Sequence, residues 1–276
     1  MTADRPSVVA AGRLARHAGI LRDGKRMVPE EVPVAFSYGG TTHAVMMATP
    51  ADLEDFAVGF SLNEGIIAKP KDILAIEVLE QGPGIDIQIS LADPAGDALR
   101  LRRRHMAGPV GCGLCGIESI EQALRPVPRI AATGLTLEAD EIVEAVRDLA
   151  AGQILNKMTH AVHGAGFYIP GKGLVAVRED VGRHNALDKL SGAVLRAGYR
   201  GGDGVIAVTS RLSVEMVQKA ASLGTPVLLA ISAPTALAIR TAEGAGITLV
   251  ALVRGEDFEI FTHADRIVPG AVADVA

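Results

Sequence analysis

The sequence predicts a two-part α/β protein. A smaller α+β unit over residues 25–128 precedes an α/β unit over residues 129–276 with a mainly parallel or mixed sheet, and residues 1–24 form a tail. Three observations carry this reading. From Val205 to Val253 short, almost wholly apolar runs alternate with helical segments, as a sheet covered on both faces requires. From Val32 to Leu91, strand-like runs instead flank a single helix. With 49% hydrophobic and 21% charged residues, the 276-residue chain is too apolar to be disordered and can bury a sizeable core.

In chain order, the first two dozen residues, with Arg5, Arg13, Arg16, Arg22 and Asp23, show no sustained period and read as a tail or edge segment. Residues 32–38 and 42–47 about Gly39-Gly40 predict a hairpin, with Pro33 confining its strand to an edge or to a strand start. Thr49-Pro50-Ala51-Asp52 opens a helix, Thr49 capping it and Pro50 in its first turn, and Gly65 stops it. Strands follow at 73–79 and 85–91. Beyond Pro126-Val127-Pro128, residues 138–157 place Ile142, Val146, Leu149 and Ile154 at near-helical spacing and predict one long helix. A hairpin spans 161–177 around Pro170-Gly171-Lys172-Gly173, and a helix spans 185–196, ended by Gly198. Strands at 205–209, 227–231 and 247–253 then alternate with helices at 214–223 and 235–243.

Composition narrows the function. Lys plus Arg number 27 against 32 Asp plus Glu, a net charge of −5, so bulk attraction to nucleic acid or anionic lipid is not expected. Six Phe, three Tyr and no Trp leave little to stack bases on. The longest uncharged apolar-rich stretch, 225–239, is interrupted by Ser232, Pro234 and Thr235 and is too short to span a bilayer. With two cysteines and no apolar run at the N-terminus, the expectation is a cytoplasmic protein of a reducing compartment.

Those two cysteines form the sharpest motif, Gly111-Cys112-Gly113-Leu114-Cys115-Gly116. It also matches G-x-G-x-x-G, but a dinucleotide fingerprint must follow a buried strand. Here Arg100, Arg102, Arg103, Arg104 and His105 precede it. The reading is a glycine loop presenting two thiols, before a helix at 117–124 and near cations that favour the thiolate. A structural zinc site would need His160 and His163, whose spacing is shorter than that of the usual histidine pair. A second group gathers at the carboxyl ends of the predicted parallel strands, where open α/β sheets bind ligands. Ser210 and Arg211, Ser232 and Thr235, and Arg254 fall there; they suit an anionic ligand, although Ser213, Ser232 and Thr235 also read as plain helix caps. A third cluster, Asp180, Arg183, His184 and Asn185, crowds one strand-to-helix turn. His163 reads as satisfying backbone groups.

In order along the chain, the glycine–cysteine loop, Glu179-Asp180-Val181-Gly182-Arg183-His184-Asn185-Ala186, residues 209–216 and Ile231-Ser232-Ala233-Pro234-Thr235 resemble the formate dehydrogenase accessory sulfurtransferase family, FdhD; so do residues 49–60 and 64–67. The resemblance runs from about Val32 to Ile267. It implies a sulfur carrier that takes persulfide sulfur from a cysteine desulfurase. The recipient is the molybdenum or tungsten of a bis(pterin guanine dinucleotide) cofactor needed by formate dehydrogenase. Carried over by motif, Cys112 bears the persulfide and Cys115 assists or resolves it. Leu252, Val253, Arg254, Gly255, Glu256 and Asp257 match the family's cofactor stretch. The resemblance also implies a cytidine-deaminase-like C-terminal unit, guanine-nucleotide binding, a homodimer and no permanently bound metal. The deaminase zinc signature, H-x-E with P-C-x-x-C, is missing. The alternative is a chaperone that holds the cofactor without moving sulfur.

Overall fold

The computed structural model describes residues 5–93, 95–96, 127–130 and 134–268. These form a mixed α/β architecture of two sheets joined through a helical layer, with two small two-stranded ladders beside them.

Within the segment read as a tail or an edge, the chain forms the first ladder. Strands β1 (Val8–His17) and β2 (Ile20–Pro29) make a ten-pair antiparallel hairpin. The alternation that marks a strand arises when one face is buried and the other wet. No residue of either strand is buried, so the sequence carries no such signal.

Strands β3 (Val32–Tyr38) and β4 (Thr41–Ala48) form the expected hairpin, with Gly39 and Gly40 at φ +58° and +74°. With β5 (Ile73–Gln81) and β6 (Gly84–Leu91) they make a sheet in the order β4-β3-β6-β5. β3 is interior, and Pro33 is tolerated because pairing with β6 begins one residue later, at Val34 opposite Ile85. Helix α1 (Leu53–Asn63) covers this sheet, Phe56 and Phe60 meeting Phe36 at centroid distances of 4.8 and 4.0 Å. Thr49 is not its cap. The helix starts later, after Asp52 in the left-handed region, because Thr49 is spent elsewhere. Its amide donates to Asp180, and its hydroxyl accepts from the Val181 amide.

The second sheet runs β13-β12-β11-β10-β8-β9. β8 (His163–Ile169) and β9 (Gly173–Asp180) are the expected hairpin. β10 (Val205–Val208), β11 (Val227–Ala230) and β12 (Thr248–Arg254) are mutually parallel. β8 and β13 (Asp257–Thr262) flank them antiparallel, so the sheet is mixed; β13 was not anticipated. A short ladder of β7 (Leu137–Glu138) with β14 (Ile267–Val268) closes one side.

Side chains alternate between two cores. On one face Val205, Ala207, Leu229 and Val250 pack under α2 (Ala139–Gly152) through Ile142 and Leu149. On the other, Ile206, Val208, Leu228 and Leu249 meet α4 (Arg183–Arg196), α5 (Val214–Leu223) and α6 (Ala236–Ala245). The single helix expected over 138–157 is two. It breaks at Gln153, and α3 (Ile154–Thr159) starts anew, because the Glu179 carboxylate accepts the Leu155 and Asn156 amides, each at 2.8 Å. That charge at a helix N-terminus replaces bonds a continuous helix would supply.

Helix α1 joins the two halves by lying on α4. The contact is backbone to backbone: a Cβ on Gly59 would collide with the carbonyl of Asp188, and one on Gly192 with that of Asp55. Among the described residues no helix is long and apolar enough to cross a membrane.

Candidate functional site

Because β10, β11 and β12 are parallel, their carboxyl ends share one edge. The antiparallel β8 begins at that edge with His163, which pairs with Asp180 at the end of β9. The Thr209 hydroxyl accepts from the Gly164 amide at 2.9 Å and so ties β10 to β8. The loops leaving β10 and β11 run side by side, Leu212 donating to the Ala233 carbonyl and Thr235 to that of Leu212. Helices α4, α5 and α6 therefore all open here, and their free amides place positive potential along the edge.

The side chains add to it. His163, Arg183 and His184 lie close together. Burial, then the nearby charges of Arg183 and His184, hold His163 below its ordinary value of 6.5. The Nε of Arg183 is buried without a hydrogen-bond partner. His184 Nε2 sits 2.9 Å from Glu215 Oε2, off the line of a good hydrogen bond. The His184 ring still holds Glu215 below the usual carboxylate range. Arg211 is exposed at the mouth, and Ser210, nearly buried, donates to the Arg211 carbonyl. Thr235 is a working cap, accepting from the Ala238 amide, whereas Ser213 makes no side-chain cap bond. Ser232 is half-buried; its carbonyl accepts the Leu252 amide at 3.5 Å.

Leu252 itself is held at φ +57°, where a non-glycine residue is strained, at the register shift where β12 leaves β13. Val253 is buried, and Arg254, Gly255, Glu256 and Asp257 are exposed on the following turn. The structure thus gathers Ser210, Arg211, Ser232, Thr235, Leu252, Arg183 and His184 along one edge.

Asp180 and Asn185 belong to the same turn but face inward. Asp180 is fully buried; it accepts from the Thr49 and Gly182 amides, from Asn185 and from Lys189 Nζ at 2.7 Å. Asn185 donates to the Met47 carbonyl as well. These two hold the turn that presents Arg183 and His184. Below it, Asp188 meets Lys219 at 2.6 Å and Asn63 at 2.6 Å, entirely out of water. Burial keeps Asp188 above the ordinary carboxylate range, even against the ammonium.

Sequence reasoning read His163 as satisfying backbone groups rather than as part of this edge, and it gave no role to Glu215 or to the two buried lysines. Only the pairing of β8 with β9 puts His163 opposite Asp180, and a buried lysine leaves no periodic mark. Cys112, Cys115 and the helix expected at 117–124 lie outside the described residues. His160 is the exposed left-handed cap of α3, and among the described residues no three His, Cys, Asp or Glu side chains are placed to hold a metal. A cavity of about 620 Å³ lies at the other end of β8, lined by Glu141, Glu144, Asp148, Tyr168 and Lys172. Its carboxylates do not suit an anion.

Residues 29–268 match the model of the FdhD/NarQ family. The chain is 69% identical over 256 residues to the sulfur carrier protein FdhD of Agrobacterium fabrum, covering 93% of this chain and 94% of that one. It is 60% identical to the sulfur carrier protein FdhD of Brucella abortus, over 92% of this chain and 95% of the relative. A crystal structure described as a formate dehydrogenase accessory protein, from Desulfotalea psychrophila, superposes with a TM-score of 0.76 at 27% identity, over 95% of this chain and all of that one.

Proposed function

The chain belongs to the FdhD/NarQ family, and on that premise we propose that it is a sulfur carrier in the maturation of a formate dehydrogenase. In this reading the Cys112 thiolate attacks the outer sulfur of a cysteine desulfurase persulfide, displacing the desulfurase thiolate and becoming Cys112 persulfide. No external oxidant is needed. Delivery as sulfide needs two electrons, and Cys115 supplies them: its thiolate attacks the inner sulfur, forming a Cys112–Cys115 disulfide as sulfide leaves, and a dithiol reductant then resets the pair.

The recipient is the molybdenum or tungsten bis(pterin guanine dinucleotide) cofactor, bound as substrate at the carboxyl edge of the second sheet. Ser210, Arg211, Ser232, Thr235 and Arg254 face its phosphate groups, with Arg183 and His184 behind them and residues 252–257 along one side. The observation that supports this placement is the buried, unpartnered Nε of Arg183 among His163, His184 and three helix N-termini. An edge with surplus donors and positive potential suits a pyrophosphate. The same reading makes the protein a cytoplasmic homodimer with a deaminase-like second sheet.

The test is intact-mass measurement after incubation with a cysteine desulfurase and cysteine. Wild type gains one sulfur atom and Cys112→Ala gains none. Undiminished addition in that variant ends the proposal. A chaperone that only holds the cofactor would instead retain formate dehydrogenase maturation in Cys112→Ala.

A further inference from the structure

The edge that collects donors for an anion also carries a carboxylate that an anion does not need. Glu215 lies in the first turn of α5, two residues after Ser213, which opens the helix. Its side chain is 33% exposed, so it lines the edge rather than filling the core. Its polar contacts with described residues fall on one oxygen. His184 Nε2 lies 2.9 Å from Oε2, and the Ser213 hydroxyl donates to Oε2 at 3.5 Å. No described residue donates to Oε1. His184 first, then Arg183 and Lys219, hold the carboxyl below its usual range against the cost of its burial, so it is charged at neutral pH.

A phosphate gains nothing from this group. At the same helix opening it would meet a negative charge at close range, which costs affinity. The edge therefore suits a ligand that is anionic at one end and presents N–H donors at the other. An ionised carboxylate only accepts, through two oxygens side by side. Guanine offers the matching pair, N1–H and the 2-amino group, parallel on one side of the ring. Adenine puts an acceptor at N1, hypoxanthine lacks the amine, and xanthine has a carbonyl oxygen in the amine's place.

The spacing agrees. β10, which leads to Glu215, is separated from β12, which leads to Arg254, by β11 alone. Two strand spacings are roughly 10 Å. A guanosine diphosphate bridges such a span, from the donor side of its base to its phosphates. Between the two ends lies Thr235 at the opening of α6, its amide donating to the Leu212 carbonyl of the β10 loop. Glu256 and Asp257 are carboxylates too, but both stand on the exposed turn beside Arg254, at the phosphate end.

We infer that Glu215 sets the base specificity of this edge: its carboxylate accepts the N1–H and a 2-amino N–H of a guanine, while the phosphates of that nucleotide lie toward Thr235 and Arg254. This assignment rests on the edge being a nucleotide site, as proposed above, and names the residue that reads the base.

The test is calorimetric titration of the full chain with guanosine, inosine and xanthosine diphosphates. Wild type should bind guanosine diphosphate about tenfold more tightly than inosine diphosphate, and at least about a hundredfold more tightly than xanthosine diphosphate. Glu215→Gln should invert the order of guanosine and xanthosine diphosphates, since an amide donates to the xanthine 2-carbonyl while it accepts from N1–H. Glu215→Ala should bind guanosine and inosine diphosphates alike. A merely structural glutamate would not exchange one base for another. Far-ultraviolet circular dichroism and thermal unfolding establish that each variant folds, and both should still accept sulfur on Cys112. A wild type indifferent to the base overturns the proposal. So does a Glu215→Gln variant that gains or loses all three nucleotides equally, or an exchange of preference carried by Glu256→Gln instead. In each of those cases guanosine diphosphate still binds and the nucleotide site stands. Binding of none of the three to wild type overturns both.

Discussion

Asp180 makes no contact with water, and each of its carboxylate oxygens accepts two hydrogen bonds. One of the donors is Lys189, itself wholly buried, which also reaches the Thr49 carbonyl. Removing one member of such a pair strands the other's charge. Asp180→Asn should therefore cost about 3–5 kcal/mol in urea unfolding, and the double variant with Lys189→Met should lose much less than the sum of the singles. His163, half-buried above this pair, carries a pH signature. Its folded pKa lies below 6.5, so just below that pH the unfolded imidazole takes up a proton that the folded one refuses. Stability then falls as pH drops through 6.5. In His163→Gln that part of the pH dependence should vanish. Guanosine diphosphate added to wild type should raise the ring's pKa, read by NMR, if the edge binds phosphate. The turn holding Asp180, Arg183, His184 and Asn185 was legible as a dense polar cluster. The direction each side chain faces was not, because that depends on Thr49 and Met47, more than a hundred residues away.

At the scale of elements, the crossing of α1 over α4 rests on two glycines placed where the helix backbones touch. Gly192→Ala drives a methyl group into the Asp55 carbonyl, and it should cost at least about 3 kcal/mol, at or beyond the upper end of ordinary overpacking. Gly244 offers a contrast within α6. Nothing lies within 4 Å of the Cβ it would gain, so Gly244→Ala should add about 0.5–1 kcal/mol. Chemical denaturation of the two variants measures both. Neither glycine can be ranked from sequence: Gly192 reads as an ordinary helical residue, and Gly244 as the residue just past the helix at 235–243. The parallel strands were legible because burial on both faces leaves unbroken apolar runs, and β8 with β9 because Pro170 and the glycines mark their turn. The break at Gln153 escaped because its cause, Glu179, sits on a different strand. β1 and β2 escaped because no burial imprints a period on them.

Across the whole molecule, parallel strand polarity does the assembling. It sends the ends of β10, β11 and β12, the start of β8 and the openings of three helices to one edge, so side chains from residues 163 to 252 meet there. That edge was legible from strand order alone, since the carboxyl ends of parallel strands share a side whatever the sheet's remaining strands do. The acidic cavity at the opposite end of β8 was not, because it is made where α2 crosses a hairpin turn. The bond between the Thr49 amide and Asp180 spans 131 residues and has an outcome in time as well as in space. At roughly 5–20 residues per second of synthesis, the early sheet and its helix leave the ribosome about 7–26 s before the carboxylate that seats them. Throughout that interval the nascent chain holds the α1 glycine face uncovered, and this is the surface a cellular holdase would shield until translation catches up.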